Sequence, residues 1–204
     1  LVANTAINLF DFDRAKDEFE QLDQDLGESD LHNQLLTYVS LNLLSEASSV
    51  AKEIILINEF NQEAWIVNLA NAIIKNDLII INEFKINQNN SNMDLLNYIF
   101  FSNNGDIKNN KLIARSIFEV IQASLSKNKD PVSYKYLLFY LSVATIFDSS
   151  FMQAYFYSAQ IYQTLENYPK AEFFYEQIPN DHKLFVDSQK NIAINKSKLG
   201  FYDD

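Results

Sequence analysis

The sequence predicts an all-α protein, an α-solenoid in which antiparallel helix pairs repeat along the chain. Three observations predict it. Gly and Pro number three each among 204 residues, far below their usual combined share of about 12%, so a chain this poor in turn formers is most economically nearly all helix. Apolar residues recur at three- and four-residue steps through most of the length, the spacing of one helical face. The pattern also recurs. Ala3, Leu9, Phe12, Ala15, Phe19 and Leu22 each stand 156 residues before Ala159, Leu165, Tyr168, Ala171, Tyr175 and Ile178.

Shorter offsets agree. Adding 34 carries Ala159, Leu165 and Tyr168 to Ala193, Leu199 and Tyr202, and subtracting 34 carries Tyr168, Phe174 and Ile178 to Tyr134, Tyr140 and Ala144. The best copy is Ala154 to Asn180, AYFYSAQIYQTLENYPKAEFFYEQIPN. It resembles one tetratricopeptide repeat (TPR), a 34-residue helix–turn–helix unit with the pattern W-x2-L-G-x2-Y … A-x3-F … P. With Met152 at position 1, Tyr155 takes the Trp position, Ser158 the Leu, Ala159 the Gly and Tyr162 the first Tyr. Leu165, Tyr168, Ala171, Tyr175 and Ile178 fall at positions 14, 17, 20, 24 and 27. The resemblance, of bacterial TPR type, implies a right-handed superhelix that binds other proteins. Small Ala159 and Ala171 let the paired helices approach, and aromatics fill the flanking turns.

Taken in order, residues 1–24 give the end of one helix, a turn near Leu9 to Asp11 and a second helix carrying Ala15, Phe19 and Leu22. Gly27 breaks the helix. Leu31 to Leu44 and Ala47 to Phe60 form the next antiparallel pair. Gln62 to Ile74 follows, with Ala64-Trp65 resembling the start of a first helix but one residue out of the usual Trp-to-Leu step. Leu78 to Ile81 is an apolar run whose helical context favours helix. Asn87, Asn89, Asn90 and Asn92 read as a loop, Met93 to Phe101 as a short helix and Ser102 to Gly105 as a turn. Leu112 to Ser126 and Tyr134 to Phe147 are paired helices around the Asp130-Pro131 break. The best repeat and a terminal one complete the array.

Phe12 and Tyr134 lie 122 residues apart, three repeats of 34 plus 20. The expected organisation is therefore one array over 1–204, regular over about 1–75 and 112–204, with an irregular Asn-rich insertion over about 86–110. Leu1 falls inside a repeat, so the sequence reads as a fragment of a longer chain.

Hydrophobic residues make up 48% and charged residues 21%, which supplies a core and excludes global disorder. Net charge is −11. An acidic surface repels phosphate backbones and anionic lipid, so neither nucleic acid nor a membrane surface is an expected partner. No apolar run is long enough for membrane insertion. The acids crowd residues 11–30, which reads as a solvated outer helix face, with a patch for a basic partner as the alternative. Cysteine is absent, excluding disulfides and thiolate chemistry while leaving the compartment open. A soluble protein is expected, cytoplasmic in preference to exported.

No P-loop, dinucleotide fingerprint or nucleophile elbow occurs, and His32 and His182 lack metal-ligand spacing. Asp23-x-Asp25-x-Gly27 fails as a calcium loop, because Gly27 is fifth, not sixth, and Gln34 is twelfth. Asn89-Asn90-Ser91 and Asn195-Lys196-Ser197 fit a glycosylation sequon. No enzyme activity and no cofactor is expected.

The TPR resemblance implies a concave groove faced by positions 2, 5, 6, 9 and 12 of the first helices. In the best unit these are Gln153, Phe156, Tyr157, Gln160 and Gln163, and in the next Asp187, Lys190, Asn191, Ile194 and Ser197. Exposed aromatics among amides suit a peptide or protein segment held by stacking and hydrogen bonds. For Phe156 and Tyr157, packing on the preceding unit is the competing role. Lys190 and Asn191 resemble fragments of a carboxylate clamp, but Gln160, Ser126, Phe156 and Gln122 stand where its other Asn and Lys residues belong, so no chaperone-tail clamp is expected. The expected function is thus a non-enzymatic scaffold. The alternatives are a self-assembling structural module and the regulatory repeat domain of a larger enzyme.

Overall fold

The computed structural model describes residues 2–22, 26–87, 93–127 and 134–200. The fold is all-α. Among the described residues there are twelve helices, α1 (Val2–Asn8), α2 (Phe12–Glu20), α3 (Glu28–Ser40), α4 (Leu44–Ile57), α5 (Gln62–Lys75), α6 (Leu78–Asn87), α7 (Asp94–Phe100), α8 (Asn110–Lys127), α9 (Tyr134–Phe147), α10 (Met152–Thr164), α11 (Tyr168–Glu176) and α12 (Phe185–Lys198). The extended backbone among them is a single bridge between Phe101 and Ile107. The chain divides into two compact units, Leu1–Ser116 and Ile117–Asp204.

One turn geometry joins successive helices again and again. Phe10, Asn42, Asn76 and Glu166 all take the left-handed conformation, with φ between 55° and 59°. In each case the next residue donates its N–H to a carbonyl five residues back: Asp11 to Ala6 (2.9 Å), Leu43 to Tyr38 (2.8 Å), Asp77 to Ala72 (2.8 Å) and Asn167 to Tyr162 (2.9 Å). This is the Schellman closure of a helix C-terminus, which satisfies carbonyls that would otherwise lack a donor. Three of the four residues that follow then start the second helix. Asp11 caps the Arg14 N–H, Asp77 the Ile80 N–H and Asn167 the Lys170 N–H. Stop and start are thus compressed into three residues, and the second helix folds back on the first. Asn42 and Asn76 are 34 residues apart, as are Glu166 and Gly200, which takes φ 82°.

A longer correspondence runs at an offset of 90. It carries α4 onto α9 residue for residue, α5 onto α10 and α6 onto α11 to within one residue at the C-terminal end. Ala64 and Ala154, Ile66 and Phe156, Leu69 and Ala159, and Ala72 and Tyr162 are buried at matching places. Trp65 therefore stands at the place of Tyr155, Asn68 at that of Ser158 and Leu69 at that of Ala159. Two 34-residue repeats account for 68 of the 90, and most of the remaining 22 are α7 and the 101–109 loop.

Helix boundaries shift where turn chemistry is stronger than apolar spacing. The helix expected over Leu31 to Leu44 spans Glu28–Ser40, because left-handed Asn42 ends it. Its partner starts at Leu44 and stops at Ile57, where the Asn58 side chain accepts the Phe60 N–H (3.2 Å) in a tight turn. Asp148 forms the same turn 90 residues on, accepting the Ser150 N–H at 2.9 Å. The Leu78–Ile81 run lies in helix α6.

In the first unit, α5 is the most enclosed element, with every residue from Ala64 to Ala72 buried. It carries Asn68 and Asn71 against Ser48 of α4. Ser48 Oγ donates to Asn68 Oδ1 (3.4 Å) and accepts from Asn71 Nδ2 (3.0 Å), so polar groups fix the register of two otherwise apolar helices. Phe84 sits between Trp65 (5.5 Å) and Phe101 (5.8 Å, parallel). In the second unit Ala159 and Ala171 are fully buried, and Tyr162 and Phe174 stack at 5.4 Å. Ala193, expected on the core side by the 34-residue offset, is exposed. α12 instead buries Ser188, Ile192 and Asn195, the equivalents of Ala154, Ser158 and Ile161.

Candidate functional site

The second unit carries an open, mostly apolar cavity of about 170 Å³. Ile121 of α8, Tyr134, Leu137 and Leu141 of α9, and Tyr157, Gln160, Ile161 and Thr164 of α10 line it. The helix period sets this arrangement. Leu137 and Leu141 are one turn apart on α9, and Tyr157, Gln160, Ile161 and Thr164 follow the three- and four-residue steps of α10. Tyr157 is half-buried and fixed edge-on to Phe118 of α8, with ring centroids 5.1 Å apart. Its hydroxyl end and the exposed Gln160 and Thr164 put polar atoms at an otherwise apolar site. At the 90-residue offset, Tyr157 and Gln160 correspond to Val67 and Ala70, both fully buried. The same helical position is thus packed shut in one unit and lined by long amphipathic side chains in the other.

Of the residues expected to face a partner, Tyr157 and Gln160 meet at this cavity, and the rest are placed otherwise. Gln153 is half-exposed on α10. Phe156 is buried, edge-on to Tyr175 of α11 at 5.5 Å, and belongs to the core. Gln163 Oε1 accepts the Tyr175 hydroxyl at 2.9 Å. On α12, Lys190 is exposed and pairs with Asp187 at 3.6 Å, while Asn191 Nδ2 donates to the Asp187 carbonyl (2.9 Å). Ile194 is 50% exposed, and Ser197 is exposed. These α12 residues do not line the cavity.

Two tyrosine hydroxyls, one on α10 and one on α11, are raised by burial. Burial pushes the Tyr175 hydroxyl up to about 12, so it remains a neutral donor to Gln163. The Tyr155 hydroxyl is raised too, by burial first and then by the Asp148 carboxylate. Tyr175 thus ties α11 to α10 through uncharged groups.

The sequence did not single out Ile121, Tyr134, Leu137, Leu141, Ile161 or Thr164, which complete the wall. The spacing of the two leucines on α9 was a signal for them, but it looks the same as that of a helix wholly devoted to core. His182 Nδ1 accepts the Leu184 N–H at 3.2 Å within a turn. Asn195 is fully buried, so its sequon is closed to a glycan in the folded chain. Asn89, Asp23 and Asp25 lie outside the described residues. Among the described residues no group of three potential ligands converges as a metal site, and no helix is long and apolar enough to cross a membrane. Comparison of the chain with family models, curated proteins and solved structures finds no match.

Proposed function

We propose that the chain is a non-enzymatic, TPR-like protein-binding scaffold that holds a peptide or protein segment on the face formed by α8, α9 and α10. The observation that carries this reading is the apolar cavity at Tyr157 and Gln160. A cavity of roughly 150 Å³ with apolar walls accommodates benzene, so 170 Å³ takes one aliphatic or aromatic side chain. Pockets for whole small molecules run from about 300 Å³ upward. One anchoring side chain with amide and hydroxyl groups around it is how a helix or an extended segment is gripped. The repeated 34-residue turns support a solenoid built of TPR-like pairs.

Selection of a random peptide library against the full chain tests this. The reading expects enriched peptides to share one large apolar residue and to lose binding at least tenfold to Tyr157→Ala or Gln160→Ala, but not to Lys190→Ala. Enrichment of peptides insensitive to all three changes rejects the site.

A second reading, self-association, draws on the bare aliphatic groups of the first unit. Leu56 is 87% exposed, and Ile79 and Ile86 on α6 are 80% and 77% exposed. Light scattering of the purified chain checks it. A monomer at high micromolar concentration removes this reading.

A further inference from the structure

The insertion between α6 and α8 builds a second cavity, different in character from the first. α7 ends at Phe100, and the chain then runs extended through Phe101 to a bridge with Ile107. Ser102 N–H donates to the Asp106 carbonyl (2.8 Å), Gly105 N–H to the Ser102 carbonyl (2.9 Å) and Lys108 N–H to the Phe100 carbonyl (2.8 Å). Gly105 turns the chain at φ 79°, where a side chain would be strained. This loop and the adjoining ends of α6 and α7 border an open cavity of about 480 Å³.

Two lysines line that space. Lys108 Nζ lies 4.8 Å from the Tyr98 ring centre and donates to the Tyr98 carbonyl and to Ser116 Oγ. Lys85 Nζ lies over the Phe101 ring at 5.2 Å, and Phe84 stacks in parallel with that ring. Lys85 makes no ion pair among the described residues. Asn97, Ser102 and Asn103 add amide and hydroxyl donors. Among the described residues no carboxylate lines the cavity, although acids outnumber Lys and Arg by 27 to 16 in the chain. Asp106 belongs to the loop but not to the cavity wall.

We propose that this cavity binds the oxyanion group, phosphate or carboxylate, of a small ligand, with Lys85 and Lys108 neutralising it and Asn97, Ser102 and Asn103 completing its hydrogen bonds. Lysine suits this role as a point charge that does not impose a planar fork on its partner. The volume falls in the range of small-molecule sites, so the oxyanion is one end of a larger molecule. This site is independent of the α8–α10 face and stands or falls without it.

The test is a ¹H–¹⁵N shift titration of the full chain with inorganic phosphate and, separately, sodium acetate, ionic strength being held constant with sodium chloride. The proposal expects saturable shifts centred on Asn103, Gly105 and Lys108, with a Kd on the order of 1 mM or below for one of the two anions. Saturation by phosphate alone assigns a phosphate ligand, and by acetate alone a carboxylate ligand. Lys85→Gln, at an exposed position that leaves the unfolding midpoint unchanged, weakens binding about tenfold, the scale of one lost charge-assisted hydrogen bond. Shifts that never saturate, that centre elsewhere or that persist unchanged in Lys85→Gln overturn it.

Discussion

The Tyr175 hydroxyl donates to Gln163 Oε1 across 2.9 Å, joining α11 to the helix that carries the candidate site. Tyr175 is fully buried, so the bond forms where an unmet polar group is costly. Its ordinary value of 10 rises to about 12 in the fold. A raised tyrosine contributes stability that is fully present below its unfolded value and is lost as pH climbs through the folded one. The chain should therefore hold its stability to about pH 10 and lose part of it between there and about pH 12. Tyr175→Phe should lower stability near neutral pH by about 1 kcal/mol, the net worth of a typical hydrogen bond, and flatten the alkaline loss. Urea denaturation across pH checks both.

Asn195 is fully buried, yet among the described residues neither its amide nitrogen nor its amide oxygen has a hydrogen-bond partner. Its equivalent in the preceding repeat is Ile161. Asn195→Leu, which keeps the branching at Cγ without its polar atoms, should stabilise the chain by about 1 kcal/mol, the relief of an unsatisfied buried group less the cost of the added volume. A higher urea midpoint at unchanged m value confirms it.

Glu166 adopts φ 58° where Gly200, one repeat later, adopts 82°. A side chain in this conformation costs about 1 kcal/mol, partly offset because glycine loses more chain entropy on folding. Glu166→Gly should therefore be neutral or up to about 0.5 kcal/mol stabilising, read from thermal unfolding. Glu166→Val should cost more than 1 kcal/mol, because a branched side chain fits this region worst.

Phe84 connects Trp65 of α5 to Phe101 at the start of the insertion loop. Phe84→Ala should cost about 3–5 kcal/mol as a fully buried aromatic and loosen the insertion first. Hydrogen exchange resolves the two effects, with early loss of protection at Phe101 and Lys108.

Helix identity was legible in the sequence because periodicity is a property of single residues in order. Helix ends were less so. Asn42 and Asn58 stop helices through a left-handed backbone and a side-chain turn, and apolar spacing contains neither. At the 90-residue offset Trp65 aligns with Tyr155, Asn68 with Ser158 and Leu69 with Ala159, a correspondence that residue type hides because the paired side chains differ. Of the expected groove residues, Tyr157 and Gln160 line a cavity while Phe156 and Gln163 turn to Tyr175. Which side of α10 stays open depends on how α8 and α9 cover it, and that is not written in α10. The Lys85–Lys108 cavity was invisible for a related reason, since its two charges are 23 residues apart and are brought together only by the fold of an insertion.

On the proposed function, the α8–α10 face holds a segment of another protein. Its most direct test is photo-crosslinking with a benzophenone amino acid at Gln160, beside the same probe at Ile79, in lysate of cells expressing the full chain. The account predicts adducts at 160 that contain a second, different protein and that disappear with Tyr157→Ala. Adducts confined to 79, or adducts at 160 that contain only a second copy of the chain, would contradict it.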